Sequence, residues 1–324
     1  MQLRENMMFN SRYSLVKLLG RGGFSEVWLV KDRKVNDKMM VIKVYAPGTG
    51  LDDDGVQIFK NEFSLVFDIQ HTNLLKPTYF DIHNNMPYLV LPYCEQGSCS
   101  KLIGKITEKE VWKFLKDVSA GLAHLHAQEP PVIHQDIKPD NILIDNSGNY
   151  LITDFGISSK ARNTLRRSLS QIKSSGGTIA YMAPEKFEKD NYPIKAGDIW
   201  ALGVTAYELM TGDVPFGEHG GLIQKNGAEI PNIRGSWSDN LTSIVKSCLA
   251  KEPWDRPTAQ DIFLQASNPG SGVKKKCWKC GKEISRNASF CSYCNASQNV
   301  VICPKCNKEI TTSATFCPYC GNKK

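Results

Sequence analysis

Eight of the chain's 11 cysteines form four Cys-x2-Cys pairs: Cys277/Cys280, Cys291/Cys294, Cys303/Cys306 and Cys317/Cys320. A shift of 26 residues carries Cys277 onto Cys303 and Cys294 onto Cys320. The filling repeats with it: Gly281-Lys282-Glu283-Ile284 against Asn307-Lys308-Glu309-Ile310, and Ser289-Phe290-Cys291 against Thr315-Phe316-Cys317. This is an internal duplication. A Cys-x2-Cys turn aims two thiolates at one point, and two such turns close a tetrahedral site that suits zinc. Each unit, 277–294 and 303–320, is too small for a core; Ile284/Phe290 and Ile310/Phe316 are its few apolar residues. Metal must then supply the folding energy. We expect two structural Zn2+ ions, one per unit, and no catalysis there. The start of the chain, MQLRENMMFN, has no apolar leader. The expected setting is therefore a reducing, cytoplasmic one, where paired cysteines bind metal and do not form disulfides.

Charge separates this tail from the rest. Residues 267–324 hold 10 Lys plus Arg and 2 Asp plus Glu, while the whole chain is +7, so the first 266 residues net only −1. The Pro/Gly/Ser/Asn cluster at 267–272, followed by Lys274, Lys275 and Lys276, reads as a flexible basic linker over 267–276. No apolar run approaches the ~20 residues of a membrane helix. The longest, Ile199 to Met210, contains Glu208 and reads as a buried helix.

In the first 266 residues, strand patterns dominate before residue 95 and helical patterns after 100. Strands are expected within 13–30, at Val41–Tyr45 and at Tyr88–Leu91, and a helix over Ile58–Ile69. A second helix is expected over Thr107–Gln128, opened by the capping box Thr107/Glu110, and a third over Ala196–Met210, closed by Gly212. Chemistry-bearing residues lie along this order. Gly20-Arg21-Gly22-Gly23-Phe24-Ser25-Glu26-Val27 is a glycine-rich turn between strands, where backbone N–H groups can reach phosphate oxygens. Lys43 sits inside an apolar strand and needs a partner; Glu62 on the next helix is the best-placed acid. His134-Gln135-Asp136-Ile137-Lys138-Pro139-Asp140-Asn141 and Asp154-Phe155-Gly156 follow. Two acids and an Asn after strands offer hard oxygen ligands for Mg2+ and a separate carboxylate for a hydroxyl proton.

This ordered set resembles the eukaryotic-type Ser/Thr protein kinase catalytic domain, in the form met in bacterial eukaryotic-like kinases, over residues 13–266. Ala183-Pro184-Glu185, Asp198 in Asp-Ile-Trp-Ala-Leu-Gly, and Arg256 in Asp-Arg-Pro extend the match. The tail resembles a double zinc ribbon. The resemblance implies an α+β, bilobal kinase fold, with a β-rich N-lobe at about 13–95 and a helical C-lobe at about 96–266. Residues 1–12 are then a lead-in, and 277–324 a small zinc-stabilised ribbon pair.

It also implies roles. Gly20, Arg21, Gly22, Gly23, Phe24 and Ser25 would cover the ATP phosphates, with Val27 against adenine. Lys43 would hold phosphate and pair with Glu62. Leu91 would be the gatekeeper, and Pro92 and Cys94 would offer hinge backbone groups. Asp136 would be the catalytic base and Lys138 would steady the γ-phosphoryl group. Asn141 and Asp154 would hold Mg2+. Asp198 would support the catalytic-loop backbone, and Arg256 would pair with Glu185. Lys138 and Thr178 point to Ser/Thr acceptors. Cys94, Cys99 and Cys248 read as packing residues. Protein substrates follow, the chain itself included. For the tail a protein partner is the main expectation and nucleic acid, through Trp278, Tyr293 and Tyr319, a lesser one. The competing reading is a pseudokinase adaptor that binds nucleotide and recruits partners through the ribbon.

Two positions depart from the family. Ser25 replaces the third glycine. Gln135 replaces an Arg that usually docks an activation-segment phosphate, and a neutral amide cannot do so. The segment itself is basic and Ser-rich, with Ser168, Ser170, Ser174 and Ser175 as candidate phosphosites beside Arg166, Arg167 and Lys173. Phosphate on this segment is thus expected to be dispensable for activity. Ala substitution at Thr164, Ser168, Ser170, Ser174 and Ser175 should leave phosphotransfer near wild type; collapse at one site, restored by Glu there, would overturn this.

Overall fold

The computed structural model describes residues 2–22, 25–155, 176–188 and 194–269. In the tail it describes 274–285, 291, 293–294, 296, 298, 300–303, 305–306, 309–311 and 320. The chain forms two compact units, Met1–Ala266 and Ser267–Lys324.

The first unit opens with an antiparallel six-stranded sheet. Its strands are β1 (Met8–Phe9), β2 (Tyr13–Arg21), β3 (Ser25–Asp32), β4 (Lys38–Tyr45), β5 (Tyr79–His83) and β6 (Met86–Pro92), in the order β1-β2-β3-β4-β6-β5. Alternation along β4 sets up everything that follows. Ile42 and Val44 join one core with Trp28, Val30, Tyr88 and Val90. Val41 and Tyr45 join the other, with Leu89, Leu91 and the aromatic residues of helix α1 (Asp53–Phe67). Lys43 lies between Val41 and Tyr45 at the same two-residue spacing, so its Cβ points to the second side.

The N-terminal lead-in differs from expectation. Within it, Met8–Phe9 adds a strand to the sheet: Met8 pairs with Ser14 and Phe9 with Tyr13. Leu3 and Phe9 are buried, and the Asn10 amide donates to Tyr88 Oη at 2.8 Å. Arg12 forks onto the Asp32 carboxylate at 2.9 and 2.6 Å. A two-residue strand carries no periodicity, which is why the pattern is silent. Helix α1 likewise starts five residues before the expected Ile58, at Asp53. Asp52 Oδ1 accepts the Gly55 N–H at 2.8 Å, and Asp53 and Asp54 favour the helix N-terminus.

The remaining helices carry the second half of this unit. Helix α2 (Glu108–His126) begins at the Thr107/Glu110 capping box and buries Val111, Leu115, Val118, Leu122 and Leu125. The hairpin β7 (Ile142–Ile144)/β8 (Tyr150–Ile152) follows. Helix α3 (Lys195–Thr211) is buried nearly all round and stops at Gly212, whose φ of 90° suits only glycine well. Helices α4 (Gly221–Lys225), α5 (Asp239–Cys248) and α6 (Ala259–Ser267) complete it.

The tail contains two hairpins of the same register. In β9 (Lys274–Lys276)/β10 (Glu283–Ser285), Lys276 faces Glu283; in β11 (Val300–Ile302)/β12 (Glu309–Thr311), Ile302 faces Glu309. All four strands obey the 26-residue period. The stretch 267–276 is therefore not wholly linker: α6 reaches Ser267, and Lys274–Lys276 is the first ribbon strand. A run of lysines has no apolar signal, and only its pairing partner makes it a strand.

The buried lead-in predicts a stability cost. Phe9→Ala should destabilise the first unit by about 3–5 kcal/mol, the usual penalty for emptying a buried Phe site. A urea midpoint unchanged from wild type would show that residues 1–12 are not integral to it.

Candidate active site

The site is built around one buried carboxylate. Asp198, in the first turn of α3, is only 1% exposed. Its Oδ2 accepts the His134 N–H at 2.8 Å and its Oδ1 the Gln135 N–H at 2.7 Å. His126 Nε2 lies 2.9 Å from Oδ2. An anion so deep must be satisfied in this way. These bonds help hold Gln135 at φ 66°, a conformation that non-glycine residues rarely adopt.

The loop that follows is pinned from within. His134 Nδ1 accepts the Asp136 N–H at 3.2 Å, so its Nε2 is the protonated nitrogen and donates to Thr153 O at 2.8 Å. The Asn141 amide donates to Asp136 O at 2.7 Å and to Asp136 Oδ2 at 2.9 Å. That turns the Asn141 carboxamide oxygen into the remaining donor atom for a hard cation. Lys138 Nζ stands 3.2 Å from Asp136 Oδ1. Thr153 N–H donates to Asn141 O at 2.9 Å, which places Asp154 next to this group. Asp154, at φ 65°, reaches Lys43 Nζ with Oδ2 at 2.6 Å. The fold thus brings Lys43, Asp136, Lys138, Asn141 and Asp154 into one chain of contacts. Glu62 was the expected partner of Lys43; its side chain lies outside the described residues. The Lys43–Asp154 pair was not foreseen, although two opposite charges in neighbouring motifs were a usable signal.

On the glycine-rich side, Gly20 faces Val27 and Arg21 faces Glu26 across the hairpin. Gly22 N–H donates to Ser25 O at 2.8 Å. Gly23 and Phe24 lie outside the described residues. Glu26, unremarked in the sequence, accepts Trp28 Nε1 at 3.0 Å and pairs with Arg21 at 2.8 Å. Val27 pairs with Lys43, and Val41 with Leu91. Leu91 and Cys94 are buried, and Pro92 is exposed. Burial pushes the Cys94 thiol up, and that of Cys248 up to about 12. Burial of this kind disfavours the thiolate, in keeping with packing residues. An apolar cavity lined by Tyr45, Phe63, Leu89, Leu91 and Phe155 adjoins Asp154.

A second buried anchor joins Glu185 to Arg256. Arg256, its side chain fully buried, forks onto Glu185 at 2.7 and 2.8 Å. Its other bonds go to the carbonyls of Ala250, Ala196 and Lys251. Removing one member of such a buried pair strands a charge. Tyr181 Oη donates to Glu208 Oε2 at 2.6 Å. Burial holds the Glu208 carboxyl above its usual range; the Tyr181 hydrogen bond opposes this and the field of Asp140 adds to it. Ser168, Ser170, Ser174 and Ser175, and the Thr178 side chain, lie outside the described residues.

In the tail, the sulfurs of Cys277, Cys280, Cys291 and Cys294 all lie within 4.8 Å of one another, as do those of Cys303, Cys306 and Cys320. Cys317 lies outside the described residues. Individual edges are 3.7 Å (Cys277–Cys294), 3.5 Å (Cys280–Cys291) and 3.6 Å (Cys303–Cys320). A tetrahedron with Zn–S bonds of about 2.3 Å has edges near ~3.8 Å, whereas a disulfide needs about 2.05 Å. The donor set and its dimensions therefore fit zinc. Burial works to raise the Cys277 thiol, but the N–H groups of Cys280 and Lys279 together with the Cys280 and Cys291 side chains outweigh it and hold it down at about 6. Cys303, with Cys306 and Lys305 one period on, is also held at about 6. Thiolate is the ligating form.

Comparison with known proteins agrees with this geometry. Residues 13–266 match the protein kinase domain family, and residues 277–321 match the double zinc ribbon. The chain belongs to the protein kinase family and carries a C-terminal double zinc ribbon. It is 33% identical over 264 residues to "Sporulation-specific protein 1" of Saccharomyces cerevisiae, covering 78% of this chain and 51% of that protein. It is 28% identical over 264 residues to "Serine/threonine-protein kinase PrkC" of Bacillus subtilis, covering 78% of this chain and 40% of that one. To "Serine/threonine-protein kinase ppk11" of Schizosaccharomyces pombe it is 30% identical over 283 residues, covering 83% and 86%. The chain thus spans about half or less of the first two relatives and most of the third.

Proposed function

We propose that this protein transfers the γ-phosphoryl group of Mg-ATP to Ser and Thr hydroxyls of proteins, itself included. The observation that carries the reading is the held carboxylate of Asp136, fixed by Asn141 and 3.2 Å from Lys138. Asp136 orients the acceptor hydroxyl and receives its proton as the oxygen bonds to the γ-phosphorus and the bond to the β,γ-bridging oxygen breaks. Lys138 balances charge on the transferring group, and Lys43 balances charge on the phosphates behind it. Asn141 and Asp154 would hold Mg2+, which neutralises phosphate charge when bound. Asp154, which pairs with Lys43 at 2.6 Å, would be the carboxylate that holds the metal, and Lys43 beside it would be the cation that faces the phosphates. Catalysis of this kind is positioning and electrostatics. The complete set of Lys43, Asp136, Asn141 and Asp154 favours the enzyme over a nucleotide-binding adaptor.

The tail binds two structural Zn2+ ions, one per ribbon unit, and serves as a docking or regulatory module for a protein partner. Nucleic acid is the less favoured partner. The setting is the cytoplasm, where zinc thiolates persist.

Two measurements test this. Transfer of labelled γ-phosphate should fall by about 10²- to 10⁴-fold in Asp136→Asn, the range general-base catalysis supplies. No transfer from folded, ATP-binding, zinc-replete wild type would favour the adaptor instead. Elemental analysis should find two zinc ions per chain, and one in Cys317→Ser. Two ions retained in that variant would exclude the four-thiolate second site.

A further inference from the structure

The side chain of Gln298 belongs to neither Cys-x2-Cys turn, yet it touches both halves of the first metal site. One N–H of its amide donates to Cys277 Sγ at 3.4 Å. The same nitrogen donates to Ala296 O at 2.8 Å. That carbonyl also accepts the Cys291 N–H at 2.9 Å. Cys277 comes from the first turn of the unit and Cys291 from the second. The Gln298 amide therefore bridges a ligand sulfur of one turn to the backbone of a ligand in the other. By contrast, the Cys280 N–H that reaches Cys277 Sγ at 3.5 Å comes from the same turn.

From this geometry we infer that Gln298 is an outer-sphere clasp of the first zinc site, tightening metal binding there by donating a hydrogen bond to the Cys277 thiolate and by locking the two cysteine turns to each other. The inference rests on the zinc reading of the ribbon. A four-thiolate zinc site carries net negative charge, so a sulfur gains from every N–H donor directed at it. Groups that orient metal ligands from outside are commonly worth about 10- to 100-fold in metal affinity. The contribution is local. The residue one period further on is Lys324, so the second unit does not carry the same amide and serves as an internal reference.

The test uses the full chain loaded with two equivalents of metal. Zinc is withdrawn with a graded chelator, and the ions remaining per chain are counted by native mass spectrometry. Gln298→Ala should make one of the two ions about 10- to 100-fold easier to remove, leaving the other at its wild-type value. Gln298→Glu separates donation from packing. It keeps the shape but has no N–H to give and adds negative charge beside the thiolates. It should weaken that ion at least as much as Gln298→Ala. Cobalt loading supplies a second readout, because the thiolate-to-metal charge-transfer band of one site should shift in both variants. Wild-type retention in Gln298→Glu, or an equal shift of both ions, would overturn the clasp. Wild type that takes up no metal and shows no cobalt–thiolate band would instead remove the zinc reading on which it rests.

Discussion

The kinase unit depends on the Asp198 carboxylate. It sits in the first turn of a helix that is buried nearly all round, satisfied by the backbone of His134 and Gln135 and by the His126 ring. That carboxylate turns a loop into a fixed object. With Gln135 held in a left-handed conformation, the chain presents Asp136, Lys138 and Asn141 together, and the His134 ring carries the constraint across to Thr153. An interaction at 1% exposure thereby sets the position of the Asp136 carboxylate, which lies nearer the surface. The asymmetry is physical: a buried anion tolerates few arrangements of donors, whereas an exposed one tolerates many.

The sheet and the ribbon pair solve opposite problems of size. The six-stranded sheet has apolar side chains enough for both faces, and simple alternation along β4 delivers one charged residue, Lys43, toward Asp154. The ribbon units have almost none. Their described cores are the cysteines themselves, with Ala296 in the first. Backbone N–H groups replace apolar contacts there, lowering two thiols toward the ligating form and shaping sulfur edges that a tetrahedral ion fits.

Much of this was legible beforehand because it is local. The capping box of α2, the glycine stop after α3 and the glycine-rich hairpin each lie within a few residues and obey backbone rules. So does the 26-residue period of the cysteines, which the strand registers of the tail turn out to share. Other features were not legible. The strand at Met8–Phe9 is too short to show a pattern, and Lys274–Lys276 has the composition of a linker. Both become strands only because a partner backbone is available. The start of α1 was hidden by Gly55, while its real signal lay in Asp52, Asp53 and Asp54.

The amino-acid order alone therefore determined the family, the two-unit organisation, the residue types of the candidate site and the spacing of the cysteines. These reside in residue type and spacing, which chemistry constrains directly. Only the tertiary structure decided which charge meets which. It paired Lys43 with Asp154, put five donors of Arg256 to work on Glu185 and three carbonyls, made Glu26 an anchor of the glycine-rich hairpin, and laid Gln298 across two cysteine turns. The Lys43 and Arg256 pairings join residues far apart in the chain, whose meeting depends on the packing of whole elements, and burial strips water from their charges so that each needs a partner.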